Sequence, residues 1–296
     1  MKYEIAQKSL LGNRKTNQDR CLALEAPDAV LLALADGMGG HAGGEHAAQI
    51  LMEISRKAFI TSRKPIANPR VFLSGLLDMA HHQILEFGQQ QTPPIEPRTT
   101  GVLCLIQEGM AHWAHLGDSR LYVMRDHHIL MRTDDHSYVE HLRQQGLITS
   151  SQAQNHRLRN YVTRCLGGQS NHPVAELSEP FSLREQDIIL LCSDGLWGPL
   201  SERTLVDVLH DKSLALPVTL ERLVSQAENT SKPESDNVTA VVLRWHKGTY
   251  NFEPADISMA LTHNAATQDK QNISSEHVQE AIDDLRRLLD EIDIEE

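Results

Sequence analysis

Cysteine is scarce in this chain of 296 residues: Cys21, Cys104, Cys165 and Cys192 lie far apart and form no C-x-x-C pair. That excludes a disulfide framework or zinc knuckle and suits a reducing cytoplasm, the compartment we expect. Basic residues are in the minority. The 28 Lys and Arg against 40 Asp and Glu leave a formal charge of −12, so neither nucleic acid nor an anionic membrane is expected as the main partner. No apolar run reaches the length of a bilayer span, and Met1-Lys2-Tyr3-Glu4 does not open a signal peptide. H-E-x-x-H and G-x-S-x-G are absent, and no P-loop lysine is present. No arginine follows any cysteine at C-x5-R spacing, because Pro27, Met110, Asn171 and Gly198 hold those positions. Gly37-x-Gly39-x-x-Ala42 formally matches a dinucleotide fingerprint, but Asp36 would set a negative charge against the pyrophosphate.

Apolar residues make up 40% of the chain, enough for a sizeable core. Short β-prone runs recur at Ala29–Ala35, Val102–Ile106, Trp113–Leu116, Leu121–Met124, Ile188–Cys192 and Val238–Trp245, each bounded by Gly, Asp, Asn or Pro. Helical periodicity fills 44–60, 70–89, 136–146, 200–210 and 217–228. The strands of 102–132 follow one another through tight turns and are therefore antiparallel, which predicts an α+β layered domain rather than a doubly wound sheet. The pattern divides the chain into a main domain over 1–246, a polar linker over 247–273 and an acidic amphipathic helix over 274–296. Val278, Ile282, Leu285, Leu288, Leu289 and Ile292 stripe that last helix, which is expected to fold back on the domain, self-associate or dock on a partner.

Carboxylates stand where the apolar runs end. Leu31 to Ala35 runs into Asp36-Gly37, Ile188–Cys192 runs into Ser193-Asp194-Gly195, and Asp236-Asn237 opens Val238–Leu243. Gly117-Asp118-Ser119 presents one more aspartate between strands. An Asp-Gly after a strand is most often only a turn. Carboxylates on the rims of neighbouring strands nonetheless converge, and they repel unless a cation lies among them. Oxygen donors without Cys or His favour Mg²⁺ or Mn²⁺ over Zn²⁺. Spacing alone leaves the turn and the metal site both open.

Seven motifs then occur in order: Gly12-Asn13-Arg14-Lys15-Thr16-Asn17-Gln18-Asp19, Asp36-Gly37-Met38-Gly39-Gly40-His41, Thr99-Thr100-Gly101, Leu116-Gly117-Asp118-Ser119-Arg120-Leu121-Tyr122, Asp134-Asp135-His136-Ser137, Ser193-Asp194-Gly195-Leu196-Trp197 and Asp236-Asn237-Val238-Thr239. In this the chain, from near its start to about Arg244, resembles the metal-dependent PP2C-type (PPM) protein phosphatases in their compact bacterial form. The resemblance implies a four-layer αββα sandwich of two antiparallel sheets flanked by helices, with two Mn²⁺ or Mg²⁺ ions at one end. It implies that Asp36 bridges the ions, that the Gly37 carbonyl, Asp194 and Asp236 complete their ligands, and that Asp118 serves a third, looser ion. Asp19 would organise water, Arg14 grip the substrate phosphate and His41 act as general acid, beside a flap over 134–168.

Two departures stand out: Gln18 replaces a glutamate that many relatives carry, and Arg98 replaces a glycine before Thr99-Thr100. Such variants are similar to those of phosphatases linked to type VI secretion. The expected substrates are phosphorylated proteins, with an opposing Ser/Thr kinase as functional partner. In the expected mechanism two ions about 3.5–4 Å apart generate hydroxide near neutral pH. Arg14 then offers a planar fork to phosphate, and protonation by His41 helps the poor alkoxide leaving group by about 10²–10⁴-fold. The alternatives are a non-catalytic phosphatase fold serving as a regulatory or phosphopeptide-binding module, and an enzyme of small phosphoesters.

Overall fold

The computed structural model describes residues 1–38, 43–168 and 172–247. In chain order β1 (Lys2–Leu10), β2 (Asp19–Ala26) and β3 (Ala29–Asp36) lead into the long helices α1 (Gly44–Thr61) and α2 (Pro69–Gln90). Next come β4 (Arg98–Thr99), β5 (Gly101–Gln107), β6 (Met110–Leu116), β7 (Arg120–Arg125) and β8 (His128–Arg132). The segment 134–168, expected as a flap, holds α3 (Tyr138–Gln144), α4 (Ser150–Gln154) and β9 (Leu166–Gly167). The chain then returns through β10 (Glu176–Leu177), β11 (Phe181–Ser182), β12 (Ile188–Cys192), α5 (Asp194–Trp197), α6 (Glu202–His210), α7 (Leu216–Ser231) and β13 (Val238–Lys247). No helix among the described residues is long and apolar enough to cross a membrane. All four cysteines are free.

One sheet has the order β1-β13-β12-β7-β8 and the other β10-β6-β5-β3-β2, with every pairing antiparallel. The central strands read as unbroken apolar runs because both of their faces are covered. Val30, Leu32 and Leu34 of β3 point between the sheets, where they meet Leu191 of β12 and Val241 of β13. Leu31, Ala33 and Ala35 point the other way, onto α1 and α2. This is the period-two alternation of a strand with both sides buried. α6 and α7 cover the outer face of the first sheet through Leu205, Leu209, Leu220 and Leu223. The result is the four-layer αββα sandwich that the motifs imply.

The expected helices are present as α1, α2, α3, α6 and α7, with ends moved by a few residues. α2 starts where Asn68 accepts a hydrogen bond from the Val71 amide and Pro69 takes the first helical turn, a position that needs no amide donor. The expected strands are present as β3, β5, β6, β7, β12 and β13, while β1, β2 and the two-residue strands β4, β9, β10 and β11 are additional. β13 ends at Lys247, where the linker was expected to begin. The linker and the amphipathic helix over 274–296 otherwise lie outside the described residues, as does His41.

Candidate metal centre

Antiparallel pairing brings five aspartates to one rim of the sandwich. Asp36 closes β3 directly opposite Asp19, which opens β2. Asp118 lies in the turn between β6 and β7, Asp194 begins α5 just beyond β12, and Asp236 stands just before β13. These ends coincide because Arg120 pairs with Cys192, and Cys192 with Ala240. The structure therefore gathers Asp19, Asp36, Asp118, Asp194 and Asp236, which the sequence scatters over more than 200 positions.

Hydrogen bonds to neighbouring backbone fix the rim. The Asp36 amide donates to Thr100 Oγ1, and its carbonyl accepts from the Thr100 amide and from Thr99 Oγ1, each at 2.9 Å. The Gly37 amide donates to the Gln18 carbonyl at 3.2 Å. A Cβ on Gly37 would lie 2.4 Å from the Gly44 carbonyl oxygen, so glycine lets the first turn of α1 press against the end of β3. The loop bearing Arg14 is tied to the other end of the chain. Asn237 Nδ2 donates to the Leu11 and Thr16 carbonyls at 2.8 and 3.2 Å, and its Oδ1 accepts from the Gln18 amide at 2.9 Å. Gly12 has φ +62°, and a Cβ there would come within 2.0 Å of the Asp236 carbonyl oxygen. Asn237, Ser193 and Thr100 received no individual role from the sequence. For Asn237 and Ser193 the place beside a predicted aspartate was the available signal, whereas Thr100 offered only its Thr-Thr-Gly motif.

The electrostatics match the crowding. Burial first, then Asp19, Asp194, Asp118 and Asp236, push the Asp36 carboxyl well above the usual carboxylate range. Burial, then Asp194 and Asp135, do the same to Asp118. Asp194 is pushed up to about 7 by burial and then by Asp236. Burial pushes Asp19 up to about 6 against the opposing hydrogen bond from Ser193 Oγ, which donates to Oδ2 at 2.8 Å. Asp19 Oδ1 is buried without a hydrogen-bond partner. Arg14 Nη2 donates to Asp236 Oδ2 at 2.6 Å, and this bond raises the guanidinium pKa further.

Five converging carboxylates, an unpartnered buried oxygen among them and no thiol or imidazole in the set fit hard divalent cations such as Mg²⁺ or Mn²⁺. Gln18 has a visible structural role. Its Nε2 donates to Glu45 Oε2 in the first turn of α1 at 3.0 Å, where a second carboxylate would be repelled. Arg98 pairs with Glu96 at 2.9 Å, and β4, which it opens, pairs with β9 at the end of the flap. The start of the flap is clamped as well. Arg120 binds Asp135 through two hydrogen bonds of 2.7 Å and lies 3.5 Å from the centre of the Trp197 ring.

A four-layer αββα sandwich with a carboxylate rim is the architecture of the protein phosphatase 2C class. Residues 6–237 match the family described as Protein phosphatase 2C, and the chain belongs to that family. It is 34% identical over 230 residues to the serine/threonine protein phosphatase PstP of Mycobacterium tuberculosis; the match takes in 77% of this chain and 42% of that relative. The chain therefore spans less than half the length of that curated protein. Among solved structures, the serine/threonine phosphatase Stp1 of Staphylococcus aureus superposes with a TM-score of 0.76 at 28% identity, over 84% of this chain and 96% of that one. A PstP catalytic domain in complex with two manganese ions superposes with a TM-score of 0.69 at 29% identity, over 83% of this chain and 99% of that one.

Proposed function

We propose that this chain hydrolyses phosphoserine and phosphothreonine in proteins, opposing a Ser/Thr kinase. The observation that carries the reading is the gathering of Asp36, Asp118, Asp194 and Asp236 at one rim with Arg14 beside them. Asp36, the Gly37 carbonyl, Asp194 and Asp236 are the proposed ligands of two Mn²⁺ or Mg²⁺ ions, with Asp118 at a third position. Bound there, such ions would supply a hydroxide nucleophile near neutral pH and offset phosphate charge. The manganese complex of the PstP catalytic domain supports this assignment.

The side chains divide the remaining work. Arg14 has only Nη2 engaged among the described residues, so the rest of its planar fork is available to two phosphoryl oxygens. A cation held by Asp236 would compete with the guanidinium for that carboxylate. Asp19, held through Oδ2 by Ser193, retains Oδ1 as an acceptor to orient the attacking water. His41 is the proposed acid toward the leaving alkoxide, on the family resemblance of its Gly-rich loop. The four ligand aspartates are all present, which favours an enzyme over a binding module.

The full chain is tested for phosphate release from phosphoserine, phosphothreonine and phosphotyrosine peptides with Mn²⁺, Mg²⁺ and chelator. The expected result is cation-dependent turnover of the first two, with loss in chelator and a higher KM in Arg14→Ala. An absence of release from every peptide at saturating Mn²⁺ would overturn the reading, and turnover of p-nitrophenyl phosphate would then separate an enzyme of small phosphoesters from a binding module.

A further inference from the structure

The segment 134–168 carries a surface that differs in charge from the rest of the chain. From His141 to Ala175 there are four arginines, Arg143, Arg157, Arg159 and Arg164, and no carboxylate, in a sequence whose formal charge is −12. Arg143 is paired with Glu140. Arg157 and Arg159 are exposed, and among the described residues neither has a carboxylate partner. Apolar side chains accompany them: Tyr161 is 60% exposed, and Tyr138 and Leu158 are exposed as well.

These residues form one patch. The Tyr138 amide donates to the Tyr161 carbonyl at 2.9 Å, and the Tyr161 amide to the Leu158 carbonyl at 3.0 Å. The centres of the Tyr138 and His156 rings are 6.3 Å apart, and the Arg159 amide donates to the His156 carbonyl at 3.1 Å. Leu158 therefore sits between two exposed arginines, with two tyrosines beside it. Single exposed apolar residues are ordinary, but tyrosine grouped with arginine is the composition of an interface.

The chain itself carries a segment of complementary chemistry. Residues 274–296 contain nine Asp and Glu against two Arg, and Val278, Ile282, Leu285, Leu289 and Ile292 recur at helical spacing. A helix of that length is marginal alone in water, so the stripe needs an apolar surface to lie on. Both outer faces of the sandwich are already taken, one by α1 and α2 and the other by α6 and α7. Reach is sufficient. β13 carries the chain from the rim to Lys247, about 33 Å away at about 3.3 Å per residue. The 26 residues between Lys247 and Ser274 can span about 90 Å when extended, enough to return to 134–168. A tethered segment also has a high effective concentration at any surface it can reach.

We propose that residues 274–296 dock in cis on the patch of Tyr138, Leu158 and Tyr161, with their carboxylates on Arg157 and Arg159. The stripe covers the exposed rings, and the acidic residues neutralise arginines that the described domain leaves unpaired. The docking stands apart from the proposed reaction, and its test measures no turnover.

The test is hydrogen–deuterium exchange of the full chain, read peptide by peptide. In the parent protein the amides of 278–292 should be protected, and high salt should weaken that protection. Arg157→Glu combined with Arg159→Glu, both at exposed positions, should return 278–292 to the exchange rate of an unstructured chain. Ile282→Asp combined with Leu289→Asp should do the same and should also speed exchange over 156–161, the reciprocal effect that coupling between the two surfaces requires. Lys212→Glu, a charge reversal between α6 and α7, should change neither segment. Protection of 278–292 that survives the arginine substitutions would place the segment elsewhere on the domain. Protection that rises with protein concentration would assign it to a second copy, and no protection in the parent would leave it undocked. Each of these three results overturns the proposal.

Discussion

Asp36 meets four other carboxylates, and this crowding dictates how the ion-free protein responds to pH. An aspartate titrates near 3.9 in an unfolded chain, whereas Asp19 titrates at about 6 and Asp194 at about 7 in the fold. The folded state therefore binds these protons more tightly. Their contribution to stability is complete at low pH and is lost as pH rises through 6 and 7. In chelator, Tm should fall between pH 5 and pH 8, and Mn²⁺ should restore it. Asp36→Asn should flatten that slope and raise the ion-free Tm at pH 8 by about 2–4 °C for each kcal/mol of repulsion relieved. Its Mn²⁺ affinity should fall by more than the roughly 10–100-fold that loss of an outer partner costs. Calorimetry reads both quantities. An ion-free Tm independent of pH would show that these carboxylates do not crowd one another in solution.

At the scale of elements, two arginine forks offer a controlled comparison. Arg120 joins β7 to Asp135 at the start of the flap, and Arg125 joins β7 to Asp187 just before β12; both pairs are nearly inaccessible to solvent. Breaking a buried pair by removing one partner costs about 3–5 kcal/mol, so Asp135→Ala and Asp187→Ala should lower stability to denaturant by similar amounts. Their effects on turnover should differ. Asp187 stands at the opposite end of β12 from Asp194, with a five-residue strand between them that spans about 17 Å at about 3.3 Å per residue, and its variant should keep kcat. Asp135 holds the flap to Arg120, and its variant should lose kcat on phosphopeptides. Equal turnover in both would remove the flap anchor from the mechanism. These clamps could not be read from the sequence, because each partner looks like an ordinary charged residue and only register makes the pairs. The rim was legible, since Asp36, Asp194 and Asp236 each adjoin an apolar run with both faces buried. β1 escaped notice for the opposite reason. Its Lys2, Glu4, Gln7 and Lys8 break the apolar signal, and its place is set by pairing with β13 rather than by its own composition.

For the molecule as a whole, every proposed catalytic side chain precedes β13, so truncation after Lys247 should leave Mn²⁺-dependent peptide phosphatase activity largely intact. Light scattering of the full and shortened chains would show whether the apolar stripe of 274–296 drives self-association. Loss of folding on truncation would make that stripe part of the core. The pairing of β1 with β13, in continuous register from Tyr3 opposite Trp245 to Leu10 opposite Val238, has a further consequence. Among the described strands it closes the longest loop, a slow kind of contact because the whole intervening segment must be ordered around it. The same closure carries Arg14 to Asp236. A nascent chain thus lacks the Arg14–Asp236 contact and a complete set of the proposed ligands until β13 has left the ribosome, so the proposed activity waits on the emergence of that strand.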